Sequence, residues 1–320
     1  MGDEQIVFNV VWTGEVFRYL RYFVLSQFDH CGARYRFIAN GCPPDQLPLM
    51  EAFAERYSDR VLDVFAMEGE MVRHGWALDA VLEQRDDGPY FGLIDPDIIA
   101  KGPFVDDFLA MLDDDCWVVS SGRSVWSESD VIPEGHVGVN GEYFYNADGF
   151  VFGAPHFALY RRDRLDETMA RWNIGFGEAG NGLSDAARQR LIESGLNYWM
   201  FDTGKVVNAF LQLDGGTLRH VEHDSLLHIG GISHLLAPET FVEAQDGSGT
   251  QPDWTQLDGM ETRAAIARYT ASVLGELVEG RPVPPLPAGV GPDVEAKLRM
   301  VRAELIGLLD RYGDEVGVGR

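Results

Sequence analysis

The sequence predicts an α/β fold built on a mainly parallel sheet, and three observations carry that expectation. Short apolar, β-branched runs alternate with longer stretches at helical spacing from residue 5 to residue 121. Turn-forming pairs such as Asn40-Gly41 and Pro43-Pro44 punctuate the junctions. The last sixty or so residues change character, with two amphipathic stretches joined by a proline-rich linker.

The elements follow in order. Gln5 to Trp12, "QIVFNVVW", is short, apolar and β-branched and reads as a buried strand. Glu15 to Gln27 follows as a helix, with Val16, Phe17, Leu20, Phe23 and Val24 on one face. Tyr35 to Asn40 is the second strand, Leu47 to Tyr57 a helix, and Val61 to Ala66 the third strand. His74 to Gln84 is helical and leads into "PYFGLID", Pro89 to Asp95, the fourth strand. A short helix lies within "GPFVDDFLAML" and a fifth strand is "CWVVSS". This β-α-β-α rhythm is the signature of parallel strands joined by helical crossovers.

Beyond it the pattern loosens. Gly122 to Gly153 is rich in glycine, aromatics and polar residues and reads as loops and short antiparallel strands. "FVFGAPHFALYRRDRL" is expected to be a strand entering a helix. Ser184 to Ser194 and Asp202 to Leu213 read as helices, and Thr217 to His234 as a strand and a loop. Asp258 to Glu279 and Pro292 to Tyr312 are amphipathic helices flanking the stiff "RPVPPLP". The expected organisation is a catalytic unit over residues 1–255, with halves at about 1–120 and 121–255, and a helical extension over 256–320.

Composition excludes several classes. The net charge of −25 sets the long-range field against polyanions, so neither nucleic acid nor an anionic membrane is expected as the main partner. No run approaches the ~18 apolar residues of a membrane span. "MGDEQ" carries acidic residues where a signal peptide needs basic ones, so a cytoplasmic location is expected. Cys31, Cys42 and Cys116 have neither zinc nor redox spacing and read as reduced thiols.

The chemistry concentrates in "YFGLIDPDII". An apolar strand ends on Asp95 and Asp97, two like charges bracketing Pro96. In open α/β sheets ligands bind at the carboxyl ends of the strands. Residues i and i+2 face the same side, so both carboxylates can address one cation, and a cation removes their repulsion. An acidic turn shaped by Pro96 is the plainer alternative.

A strand, then Asp95-Pro96-Asp97, then "IIAKGPF", resembles the GT-A glycosyltransferases, in a family-two-like form with a D-x-D motif. The order of preceding elements and the helix "HGWALDAVL" fit the same pattern, and the resemblance spans roughly residues 5–235. It implies a GT-A type sheet flanked by helices, a nucleoside-diphosphate sugar donor, and Mn²⁺ or Mg²⁺ held by Asp95 and Asp97. In "LLHIGGISH", His228 matches the histidine that completes the metal site in many such enzymes, with Gly230-Gly231 letting backbone approach the diphosphate. His220, His223 and His234 compete for that role. Asp202 matches the general base of inverting members, although Phe201 stands where a glutamate often precedes it, and an N-cap role competes. Glu178 and Asp148 are weaker base candidates.

Donor contacts are expected from strand ends: Trp12, Thr13, Gly14, Asn40, Arg73, His74 and Asp95; each also reads as turn chemistry, and for Asn40-Gly41 the turn is the stronger reading. Trp126, His136, Tyr143, Phe144, Tyr145 and Asp148 form a candidate acceptor wall, with core packing of the aromatics as the alternative. The expected function is transfer of a sugar, with UDP as the default nucleotide, to an acceptor hydroxyl on a small molecule or glycan. The alternatives are a sugar-nucleotide nucleotidyltransferase, though "WTGEVFRYL" lacks its glycine-rich basic loop, a D-x-D phosphatase, and a non-catalytic sugar- or nucleotide-binding protein. The terminal helices are expected to form a lid or a homodimer contact.

Overall fold

A computed structural model describes residues 6–177, 182–236 and 261–316. The first half alternates as the sequence predicts. β1 (Val7–Thr13), α1 (Phe17–His30), β2 (Arg34–Asn40), α2 (Gln46–Arg56), β3 (Val61–Ala66), α3 (His74–Gln84) and β4 (Tyr90–Ile94) follow one another. Then come β5 (Ile98–Ala100), α4 (Val105–Leu109), β6 (Cys116–Ser121), β7 (Gly138–Val139), β8 (Phe157–Arg161) and α5 (Arg162–Trp172). The rest comprises α6 (Asp185–Glu193), β9 (Met200–Phe201), α7 (Lys205–Leu213), β10 (Thr217–His220), β11 (Leu226–His228), α8 (Ser233–Leu236), α9 (Glu261–Val278) and α10 (Pro292–Tyr312).

The central sheet has seven strands in the order β10-β6-β8-β4-β1-β2-β3. Its neighbours are parallel except β8, which runs antiparallel between β4 and β6. The expected mainly parallel sheet flanked by helices is therefore the observed one. Chain order runs outward from β1 to β3 and resumes at β4 on the other side of β1, so the carboxyl ends of β1 and β4 border a topological switch point, the place where such sheets hold ligands.

Apolar residues fill both faces. Phe8, Val10 and Trp12 alternate with Val7, Asn9 and Val11 along β1, and nearly all are buried, as a central strand covered on both sides requires. Asn9 turns its amide onto the Gly92 carbonyl at 2.9 Å, fastening β1 to β4. From α1, the Gln27 amide donates to the Ile98 carbonyl at 2.8 Å, and Ser26 Oγ accepts from the Ala100 amide at 3.0 Å. These bonds anchor β5, the strand that leaves the Asp95–Asp97 turn.

Two sequence expectations change, and the terminal helices find their place. The helix expected from Asp202 begins at Lys205, with Gly204 at its N-cap in the left-handed conformation; the preceding Met200 and Phe201 pair in parallel with Gly138 and Val139 instead. β5, unread in the sequence, pairs antiparallel with β11. The terminal helices join the same apolar cluster as β1 and α1: Ile266, Val273, Leu298, Val301 and Leu305 are fully buried there. Tyr312 Oη donates to Asp29 Oδ2 at 2.6 Å, tying α10 to the end of α1. The apolar faces of these helices thus lie against the chain's own domain. The expected boundary at 255/256 and the start of the helix expected from Asp258 lie outside the described residues. Among the described residues, no helix is long and apolar enough to cross a membrane.

Candidate metal centre

The site is assembled by register. β4 ends at Ile94, and the Asp95 carbonyl accepts from the Ile98 amide at 3.3 Å, turning the chain around Pro96. β11 lies antiparallel to β5 with His228 opposite Ile98, and the Ile229 amide donates to the Asp97 carbonyl at 3.1 Å. This second ladder delivers His228, more than a hundred residues away in sequence, to the two aspartates. Its Nε2 lies 3.3 Å from Asp97 Oδ1 and 3.9 Å from Asp95 Oδ2. Its Nδ1 donates to the Gly122 carbonyl at 2.6 Å, so in the neutral ring Nε2 carries the lone pair and turns it to the carboxylates.

Gly230 makes room for this arrangement. It has φ +75°, and a Cβ there would stand 2.7 Å from Ser124 Cβ, 2.9 Å from Trp126 Nε1 and 3.3 Å from His228 Cε1. Trp126 Nε1 donates to the Gly230 carbonyl at 3.0 Å, holding the turn after His228 in place.

A residue absent from the sequence expectations completes the cluster. Because β8 is antiparallel, it begins at the edge where its parallel neighbours end, and Phe157 stands opposite Ile94. His156, just before it, receives a 2.7 Å hydrogen bond on its carbonyl from the Asp95 amide, and its Nδ1 lies 3.0 Å from Asp95 Oδ2. One donor atom each from Asp95, His156 and His228 lie within 4.8 Å of one another. Nothing in "GAPHFAL" marks His156 as functional without the knowledge that its strand is reversed.

The electrostatics follow from this crowding. Burial raises the Asp95 pKa to about 7; the His74 charge opposes that rise and Asp97 adds to it. For Asp97 burial also acts upward, but the charge and hydrogen bond of His228 outweigh it and hold the carboxyl below its usual range. Burial alone would lower the His228 pKa; Asp97, Asp95 and the Gly122 carbonyl raise it instead. Burial, with the positive charges of His228 and Lys205, pushes His156 well below the usual histidine value, so its ring is neutral. His228 and the two aspartates therefore favour each other's charged forms.

The competing histidines are engaged elsewhere. His220 contacts Ser120 Oγ at 3.0 Å and Glu222 Oε1 at 2.8 Å; His223 contacts Asp107 Oδ2 at 3.1 Å. The side chain of His234 and all of Glu178 lie outside the described residues. Asp148 is exposed in a turn closed by Asn146.

Asp202 borders the centre. Its Oδ1 accepts from the Thr203 amide at 2.8 Å, while a Cβ on Gly141 would stand 3.0 Å from its Oδ2 and 3.7 Å from His156 Cε1. It therefore faces the same space as His156 and does not cap α7, whose N-cap is Gly204. Lys205 is fully buried and donates to the carbonyls of Gly141, Tyr143 and Gly153. Burial lowers its pKa to about 7, but three carbonyls for three N–H bonds hold the ammonium form and pin the 141–153 segment over α7.

The expected donor residues divide. His74 stands half-buried with Nε2 3.9 Å from Asp95 Oδ1, and Arg73 begins α3 beside it, its guanidinium 5.8 Å from the Trp76 ring centre. Thr13 and Gly14 form the turn after β1, where the Thr13 carbonyl accepts from the Val16 amide. Trp12 points into the core, edge-on to Phe17 and Phe37. Asn40 is fully buried, and its amide pairs with both the N–H and the carbonyl of Val72. Both side chains are buried within the sheet end. Of the expected acceptor wall, Trp126 and Phe144 are core, Tyr145 bonds the His220 carbonyl, and His136 is exposed against Tyr143.

No protein-family model and no curated protein matches the sequence. Among solved structures, the chain is similar to the mannosyltransferase PcManGT from Pyrobaculum calidifontis in complex with GDP-Man and Mn²⁺ (12% identity, 98% of this chain and 77% of that one, TM-score 0.42). It is similar to S. aureus TarS 1–349 in complex with UDP-GlcNAc (11%, 96% and 73%, 0.47). A third likeness is to 4-diphosphocytidyl-2C-methyl-D-erythritol synthase from Anaerococcus prevotii (9%, 75% and 97%, 0.40). These are likenesses of fold outline; the functional reading rests on the aspartates and histidines themselves.

Proposed function

We propose that this chain is a metal-dependent glycosyltransferase that moves a sugar from a nucleoside-diphosphate sugar, with UDP as the default base, to an acceptor hydroxyl. One observation carries the reading: Asp95, Asp97 and the Nε2 lone pair of His228 converge at the switch point of the sheet. Three groups that repel one another in their unprotonated forms become compatible around a divalent cation.

The donor set fits such an ion. Two carboxylates with one imidazole suit Mn²⁺ or Mg²⁺. When bound, the ion offsets negative charge on diphosphate oxygens. The chain's own groups supply the rest. Asp95, Asp97 and His228 hold the ion, and Gly122 fixes the His228 tautomer through its carbonyl. His74 and Arg73, at the start of α3, lie on the side where an anionic donor gains from the positive end of that helix. Asp202, with Oδ1 held by Thr203, keeps Oδ2 for orienting or deprotonating the acceptor hydroxyl.

The test is incubation of the protein with a panel of nucleoside-diphosphate sugars, with Mn²⁺, Mg²⁺ or a chelator. Release of nucleoside diphosphate from one donor, abolished by the chelator, is expected. Release of pyrophosphate from a nucleoside triphosphate and a sugar phosphate would instead identify a nucleotidyltransferase, and no turnover of any donor would leave a binding protein.

A further inference from the structure

We propose that His156 is a further ligand of the ion at Asp95, Asp97 and His228, and that this second imidazole makes the site select Mn²⁺ over Mg²⁺. The inference rests on the reading of the cluster as a metal centre and goes beyond the expected carboxylate pair and single histidine.

Position comes first. The antiparallel register of β8 against β4 and the 2.7 Å bond from the Asp95 amide to the His156 carbonyl fix the backbone of His156 beside Asp95. Its side chain is then directed to one carboxylate oxygen: His156 Nδ1 lies 3.0 Å from Asp95 Oδ2. His228 Nε2 addresses that same oxygen at 3.9 Å and Asp97 Oδ1 at 3.3 Å. The two imidazole rings stand 4.4 Å apart, centre to centre.

A hydrogen bond to Asp95 accounts for the first distance alone. It does not account for two imidazoles from different strands converging on a single oxygen. Ligands around an ion with bonds of about 2.1 Å lie roughly 3 Å apart when adjacent and roughly 4 Å when opposite. The 3.0, 3.3 and 3.9 Å separations span that range. Gly141 leaves open the space beside the His156 ring that a side chain would fill, with its Cβ position 3.7 Å from His156 Cε1.

The consequence is chemical. Mg²⁺ prefers oxygen ligands and retains its water, whereas first-row transition ions accept imidazole readily. Replacing an oxygen or water by a second nitrogen therefore raises affinity for Mn²⁺ and leaves Mg²⁺ little improved.

The test uses the full chain with the metal ion alone, without nucleotide. Pulsed electron paramagnetic resonance on the Mn²⁺-loaded protein counts coordinated imidazole nitrogens: two are expected in the wild type and one in His156→Gln. In titrations competed with Mg²⁺, His156→Gln is expected to bind Mn²⁺ about 10- to 100-fold more weakly with Mg²⁺ affinity within about 2-fold. A single imidazole in the wild-type spectrum, or an unchanged Mn²⁺/Mg²⁺ ratio in the variant, overturns the proposal while leaving the centre intact. If the wild type binds neither ion, the metal centre itself is wrong. The wild-type spectrum decides the question even if the variant fails to fold.

Discussion

His228 Nε2 lies 3.3 Å from Asp97 Oδ1 while its Nδ1 donates to the Gly122 carbonyl, so one histidine is oriented by backbone on one side and faces two aspartates on the other. In the proposed metal centre a proton and the ion compete for the same nitrogen. Asp95, raised to about 7 mainly by burial, and His228, raised by its carboxylate neighbours, both bind protons that an ion must displace. Mn²⁺ affinity is therefore expected to fall on acidification through pH 7, by up to about tenfold per pH unit per proton displaced, and to level off on the alkaline side. Calorimetry in buffers of different ionisation enthalpy reads the released protons directly; a pH-independent affinity with no proton release contradicts this.

Asp202→Asn separates base chemistry from folding. Asparagine keeps a carbonyl oxygen for the Thr203 amide, so the turn before α7 is preserved. An unchanged melting temperature and Mn²⁺ affinity are expected, with transfer slowed about 10²- to 10⁴-fold. Wild-type transfer in the folded variant would remove Asp202 from the mechanism.

Gly230→Ala forces a Cβ into Ser124, Trp126 and His228 and places a side chain at φ +75°. A loss of about 1–3 kcal/mol in stability is expected from the backbone strain. The crowding falls on His228, so weaker Mn²⁺ binding should accompany the loss. Denaturant unfolding paired with a metal titration measures both; a variant matching the wild type in each would show that the turn does not set the histidine.

Tyr312→Phe removes the 2.6 Å bond to Asp29 that fastens α10 to α1. About 1 kcal/mol of stability and roughly 2 °C in melting temperature are expected to be lost, with the transition still single because the terminal helices share the core of the sheet. Two separate transitions in calorimetry would instead mark the extension as an independent unit.

The parallel half of the fold was legible because each strand is a short apolar run closed by turn residues, as in "YFGLID" before Pro96. Asp95, Asp97 and His228 were legible by pattern, and the ladder between β5 and β11 supplies the physical reason they meet. His156 was not: its meaning depends on β8 being antiparallel, a register fact that no local run encodes. Asp202 carried two readings, and the left-handed Gly204 settles where the helix starts. Trp12 and Asn40 sit at strand ends as expected, but their side chains turn to the Phe17–Phe37 cluster and to Val72, which spacing along a strand does not reveal.

The most direct measurement is calorimetric titration of nucleoside diphosphates into the wild type and Asp97→Asn, each with and without Mn²⁺. Binding of one diphosphate by the wild type only when Mn²⁺ is present is expected, and its loss in Asp97→Asn, whose paired carboxylate is gone. Equal binding with and without the ion, or undiminished binding by Asp97→Asn, would contradict the proposed metal centre.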